Sequence, residues 1–184
     1  MVAKLVVFAI LSIPILYISR RSLLRPRSHG FYRFFAWELI TALFLLNLEV
    51  WFQDAWAWHQ LVSWFLLFTS LVPLYFGTRA LTGRGKPQAR RDGEPQLLAF
   101  EKTTVLVTSG IYRYIRHPLY SSLLFLTWGI FFKQPAWVGL GLAGAASLLL
   151  VATARADEAE CRSYFGEAYA EYVKHTRRFV PFIF

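Results

Sequence analysis

The chain is short of the residues that build most soluble sites. One of its 184 residues is cysteine, so Cys161 can form no internal disulfide and no cysteine-based metal cluster. The four histidines, His29, His59, His117 and His175, are scattered, and no two have ligand spacing, which speaks against a metal site. Acidic residues are few, 11 against 20 basic, for a net charge of +9. Such a balance raises the question of nucleic acid. The basic residues lie between apolar segments, however, and no basic groove with stacked aromatics or known module is present, so nucleic acid is not an expected partner. There is no internal repeat and no low-complexity tract. The apolar run that ends at Ile18 is followed by no small-residue cleavage site. Arg20, Arg21, Arg25 and Arg27 follow it, and this reads as a retained anchor with its N-terminus outside.

Apolar residues, by contrast, are abundant: 56% of the chain is hydrophobic and 18% aromatic. Runs such as 61–68 and 138–154 have to be buried, and a chain of this length is too short to cover them itself. Lipid is the simplest cover. The expected fold is all-α: an integral membrane bundle of about five transmembrane helices, with a C-terminal amphipathic helix on the cytoplasmic side. The spans fall at 2–19, 35–52, 60–77, 118–132 and 136–154. The fourth is short for a full crossing, and Lys133-Gln134-Pro135 makes a tight turn into the fifth. Five crossings put every basic residue except Lys4 and Lys133 on one side, which the positive-inside rule makes the cytoplasm, or the cytoplasmic side of the inner membrane in a bacterium. Trp51, Trp56, Trp58 and Trp64 then cluster near the outer loop as interface anchors.

The least apolar stretch is 78–102. It contains Thr82-Gly83-Arg84-Gly85-Lys86-Pro87 and Arg90-Arg91-Asp92-Gly93-Glu94-Pro95, and reads as a cytoplasmic loop able to cover a site or meet lipid phosphates. The tail 156–172 has helical spacing with acids and aromatics mixed, as in a helix lying on the inner surface. Residues 1–77 form an N-terminal three-span region and 78–184 the region that carries the chemistry, together one membrane domain.

Two constellations carry that chemistry. The first is Gly110-Ile111-Tyr112-Arg113-Tyr114-Ile115-Arg116-His117-Pro118-Leu119-Tyr120. Pro118 suits the first turn of a helix, so His117 sits at the helix start, where backbone N–H groups favour an anion. The second is Asp157-Glu158, with Arg155 before it and Glu160 after it. A hairpin of the last two spans returns these acids to the side of His117. Carboxylates facing a helix start suit a zwitterionic ligand.

Thr108-Ser109-Gly110-Ile111-Tyr112, Arg116-His117-Pro118-Leu119-Tyr120, Asp157-Glu158 and Phe165-Gly166-Glu167-Ala168-Tyr169-Ala170-Glu171-Tyr172, in that order, resemble the isoprenylcysteine carboxyl methyltransferase family. That family lies within a wider group of membrane methyltransferases that includes phospholipid N-methyltransferases. The resemblance covers about residues 78–184 and implies S-adenosylmethionine as methyl donor. It puts donor contacts on Thr104, Val105, Leu106, Val107, Tyr112, His117 and Tyr120. Its paired glutamates fall on Asp157 and Glu158, the first one methylene shorter here, which leaves open which carboxylate meets the donor. A substrate-orienting arginine of the family falls on Thr153, while Arg155 is nearby but out of register. Arg116, Arg155 and Glu158 are the expected catalytic groups, the arginines orienting an anionic acceptor. The acceptor is a lipophilic or small molecule reached from the bilayer: a carboxylate, thiol, amine or lipid headgroup.

Two other functions fit less of the pattern. Membrane sterol reductases share a similar C-terminal half and bind a nicotinamide cofactor, but they are longer. A non-catalytic adaptor working through the basic loop would leave the paired motifs without a use. The expected topology is tested with single cysteines in a Cys161→Ser background. A membrane-impermeant maleimide should label Asp54→Cys in intact cells, and Arg113→Cys only after permeabilisation. The reverse pattern would invert the orientation.

Overall fold

The computed structural model describes residues 2–86, 97–98 and 101–180. Among them it is all-helical, with six α-helices: α1 (Val2–Leu23), α2 (His29–Leu46), α3 (Trp58–Arg84), α4 (Pro118–Phe131), α5 (Trp137–Phe165) and α6 (Glu167–Lys174). Three of these, α1, α3 and α5, are long and apolar enough to cross a membrane, and α4 is a shorter apolar helix.

Local chemistry explains the boundaries, several of which differ from the hydropathy reading. The second helix starts at His29 and not near 35, because Ser28 caps it: its hydroxyl accepts from the Phe31 N–H at 3.2 Å. Such a cap satisfies one of the orphan donors of a first turn. The third helix runs seven residues past 77, through Gly83 and into the stretch read as loop, and ends at Arg84, with Gly85 as its C-cap. Likewise α5 continues through the acidic pair to Phe165, and only Gly166, with φ +58°, stops it. Left-handed backbone of this kind favours glycine. The tail read as one helix over 156–172 is therefore the end of α5, a break, and the short α6. Of the charged loop, the segment Arg90-Arg91-Asp92-Gly93-Glu94-Pro95 lies outside the described residues.

The helices pack as α1 on α2, α2 on α5, α3 on α4, and α4 on α5. On α5 the buried positions Gly139, Ala143, Ala146, Leu150 and Thr153 recur every three or four residues, which places them on one face. Of these, Ala143 and Ala146 join Ile40 and Leu43 of α2 and Ile130 and Phe131 of α4 in the main apolar core. Small residues suit helix contacts in lipid, where close backbone approach replaces the hydrophobic driving force. Much of α1 is exposed, including Leu5, Ile10 and Ile13, as lipid-facing surface requires.

The α4–α5 turn is bolted to the rest by polar groups. Lys133 is buried, and its ammonium donates to Gln60 Oε1 at 3.0 Å. It also lies 3.6 Å from the centre of the Trp64 ring and 5.1 Å from that of Trp51, distances at which a cation is attracted to an indole face. Asn47 Nδ2 donates to the Ile130 carbonyl at 2.8 Å. Two of the four tryptophans thus hold a lysine, while Trp56 and Trp58 are exposed.

Where α3 and α4 touch there is no room for a side chain at Gly129: a Cβ there would lie 2.9 Å from Leu67 Cγ and 3.1 Å from the Leu67 nitrogen. Gly141 on α5 has nothing within 4 Å. Gly129→Ala should therefore lower the melting temperature in detergent, by an overpacking cost of about 1–3 kcal/mol. Gly141→Ala should leave it unchanged or slightly raised. Equal effects would contradict the close approach.

Candidate functional site

The site is built where the start of α4, the polar end of α5 and the C-terminal segment meet. Gly110, with φ +68°, opens a 3-10 turn over Gly110–Arg113. The chain then runs extended beside residues 176–179. Arg177 N donates to Tyr114 O at 3.0 Å, Arg116 N to Arg177 O at 2.8 Å, and His117 N to Arg178 O at 3.1 Å. Ser121 Oγ adds a bond to Phe179 O at 2.8 Å. Pro118 occupies the first turn of α4 and His117 its N-cap, yet the His117 side chain does not cap the helix. It turns instead toward α5, its Nε2 3.2 Å from Glu158 Oε1 and its Nδ1 3.5 Å from Asp157 Oδ2. Tyr120 stacks on the imidazole with ring centres 5.3 Å apart, and its hydroxyl donates to Asp157 Oδ2 at 3.2 Å.

Glu158 is the hub. Arg178 grips it through both oxygens, at 2.9 and 2.8 Å, the two-pronged geometry for which guanidinium is shaped. Arg116 Nε donates to it at 3.0 Å, and Arg116 Nη1 reaches on to the Thr176 carbonyl. Burial alone would lower the pKa of His117, but its hydrogen bonds to Asp157 and Glu158 raise it above the ordinary 6.5. The His117 ring thus lies between two carboxylates that favour its protonated form.

Beside this hub lies a cavity, partly open to solvent, between the start of α4, α5 and α6. Its apolar wall includes Leu81, Leu106, Val107 and Leu119, and its polar wall Tyr112, His117, Tyr120, Asp157, Glu101 and Glu160. Asp157, Glu160 and Cys161 all line it, as residues three and four apart on one helix face should. Glu158, one residue round the helix from Asp157, faces away. It borders a separate surface groove with Arg155 and Arg162.

Of the expected site residues, the structure brings Leu106, Val107, Tyr112, Arg116, His117, Tyr120 and Asp157 to the cavity wall. Glu158 stands behind them as their buttress. Thr104 and Val105 are placed elsewhere: both backbone nitrogens donate to Gly85 O, and the Val105 side chain is exposed. Arg155 is exposed on the outer groove, while Thr153, its neighbour in the family register, is buried and spends its hydroxyl on Leu149 O at 2.8 Å.

Sequence reasoning missed a second polar cluster, His29, Arg33, Glu101 and Glu160, and also missed Arg178. The first two lie on the expected N-terminal half, and Glu101 is held by them. Arg33 Nη1 is paired with Glu101 Oε1. Burial would raise the pKa of Glu101, but Arg33 and His29 hold it below the usual range. The readable signal was two basic groups, His29 and Arg33, one turn apart at the head of a mostly apolar helix. Among the described residues, no group of three or more His, Cys, Asp or Glu is placed to hold a metal ion.

Residues 97–168 match the family model for phospholipid methyltransferase, a family related to the isoprenylcysteine carboxyl methyltransferases. The matched stretch contains His117, Tyr120 and Asp157 and supplies most of the cavity wall, and it points to a membrane methyltransferase. No curated protein and no solved structure matches the chain.

Two stability measurements probe this arrangement. Glu158→Ala removes the carboxylate that Arg116, Arg178 and His117 share and should cost about 3–5 kcal/mol, as breaking a buried ion pair does. Arg162→Ala, on an exposed side chain, should stay within about 0.5 kcal/mol. Because the folded-state pKa of His117 is raised, its contribution is fully present below the ordinary 6.5 and is lost as pH rises through the folded-state value. The melting-temperature gap between wild type and His117→Gln should therefore be widest at low pH and close on the alkaline side. A gap that widens with pH would contradict a protonated His117.

Proposed function

We propose that the protein is a multi-pass membrane methyltransferase that takes its methyl group from S-adenosylmethionine and delivers it to a small or lipophilic acceptor. One observation carries the reading: the stretch that matches phospholipid methyltransferase supplies most of the polar cavity's wall. The donor set suits a zwitterion with a further positive centre. Asp157, Glu101 and Glu160 offer carboxylate oxygens on one wall, and the protonated His117 beside the α4 start offers the complement for a carboxylate. Leu81, Leu106 and Val107 supply an apolar surface for a flat ring system.

When bound, such a donor supplies a methyl on a sulfonium that is already a good leaving group, so the chain has little proton transfer to perform. Its residues align and enclose. Tyr112, His117 and Tyr120 shape the donor pocket, with Leu106 and Val107 closing its apolar side and the neighbouring Thr104 and Val105 anchoring that strand of chain to Gly85. Asp157 faces the cationic part, and Glu158 fixes His117 and Arg116 from behind. Arg116 is the arginine at the cavity for an anionic group of the acceptor, with Arg155 at the outer groove. Alignment and exclusion of water of this kind are worth several kcal/mol of barrier, on the order of 7–11 in the best intramolecular cases. The acceptor, whether a carboxylate, thiol, amine or lipid headgroup, enters from the bilayer between the spans. In this reading five segments cross, with the N-terminus outside and the C-terminus and cavity on the cytoplasmic side, where all but two of the basic residues lie.

Calorimetry on detergent-purified protein tests the donor assignment. S-adenosylhomocysteine should bind at micromolar concentration, and His117→Ala should abolish that binding while NADPH gives no heat. Binding of NADPH alone would favour a reductase, and binding of neither to folded protein would remove the methyltransferase reading.

A further inference from the structure

The wall of the cavity is furnished in part by His29 of α2, which lies outside the matched stretch 97–168. His29 is 1% exposed and Arg33 3%. Two polar side chains so deeply buried at the head of one helix need partners, and both find them in carboxylates of the cavity wall. The His29 backbone N–H donates to Glu160 Oε1 at 2.9 Å, and its ring Nδ1 lies 2.6 Å from Glu160 Oε2. The other ring nitrogen, Nε2, lies 3.6 Å from Glu101 Oε2. Arg33 pairs with the second oxygen of Glu101, and the Leu98 N–H also donates to Glu101, at 2.9 Å.

Both nitrogens of one imidazole thus face carboxylates, which requires both to carry protons. His29, Glu101 and Glu160 all line the cavity, whereas Arg33 does not. The donors of His29 are turned onto the two carboxylates, so the cluster presents carboxylate lone pairs to the cavity. Left alone, Glu101 and Glu160 would repel each other and Asp157, and their side chains would be free to turn away.

We propose that His29 and Arg33 are positioning residues of the methyl-transfer site: His29 holds the carboxylates of Glu101 and Glu160 on the cavity wall, and Arg33 fixes Glu101 from behind. The N-terminal region is then a working part of the site. The inference rests on the reading of the cavity as a methyl-donor site, and it assigns the two carboxylates to the hydrogen-bond donors of that ligand, its ammonium or hydroxyls. It also gives the segment around Glu101 a reason to lie where it does, since a buried ion pair ties it to α2 over the cavity.

The test measures S-adenosylhomocysteine affinity and ligand-free melting temperature on the same full-length preparations. Glu160→Gln is isosteric and keeps one of the two oxygens that accept from His29, so it should still fold, with a lower melting temperature. It should weaken binding at least tenfold, as should His29→Asn. Arg33→Glu should weaken binding similarly, and the exchange Arg33→Glu with Glu101→Arg should recover part of the stability but not the affinity, because the carboxylate then stands behind the wall and not on it. Folded Glu160→Gln and His29→Asn proteins with wild-type affinity would overturn the proposal and leave a purely structural tie. Failure of the wild type to bind would instead remove the donor reading, and this inference with it.

Discussion

A single carboxylate, that of Glu158, is the constraint on which the rest of the site depends. It belongs to α5, it takes both prongs of Arg178 from the C-terminal segment, and it takes Arg116 and His117 from the approach to α4. Three stretches far apart in sequence are therefore fixed to one point at the polar end of the helices. A lone carboxylate in that place would carry a desolvation cost of several kcal/mol. Three cationic partners offset it, and in doing so they leave Asp157, the next residue, free to face the cavity. The hub acts mainly on geometry: it makes one arrangement of α4, α5 and the C-terminal segment far better than its neighbours.

The opposite end of the bundle uses a different device for the same purpose. There Lys133 is tucked between two indole faces and Gln60, and Asn47 holds the end of α4. Between the two ends, small residues on α5 and Gly129 on α4 let helices approach closely. Apolar side chains gain little by leaving lipid for a helix contact. Polar fastenings at the two ends and close packing in the middle are thus what remains available to fix such a bundle, and this chain uses both.

Much of this was legible in the sequence, and the parts that were not share a cause. Pro118 and Lys133-Gln134-Pro135 marked both ends of α4, because turn and cap chemistry is local. Hydropathy, however, reports where lipid ends and not where a helix does, so α3 and α5 run on to Gly85 and Gly166. That extension decides the site: carried as helix past 154, the register turns Asp157, Glu160 and Cys161 to the cavity and Glu158 to its arginines. The resemblance had left the choice between the two carboxylates open. Arg155 looked suitable by proximity, yet it stands exposed on the outer groove. The pairing of His29 with Glu160 spans 131 residues, and no local pattern encodes a contact of that length.

The central claim is that this cavity is a methyl-donor site, and photo-crosslinking addresses it most directly. Membranes containing the protein would be irradiated with labelled S-adenosylmethionine, digested, and the labelled peptides sequenced. The account predicts label on peptides carrying Tyr112 to Tyr120 or Asp157 to Tyr172, displaced by excess S-adenosylhomocysteine. Displaceable label confined to the outer loop around Trp56, or no displaceable label at all, would contradict it.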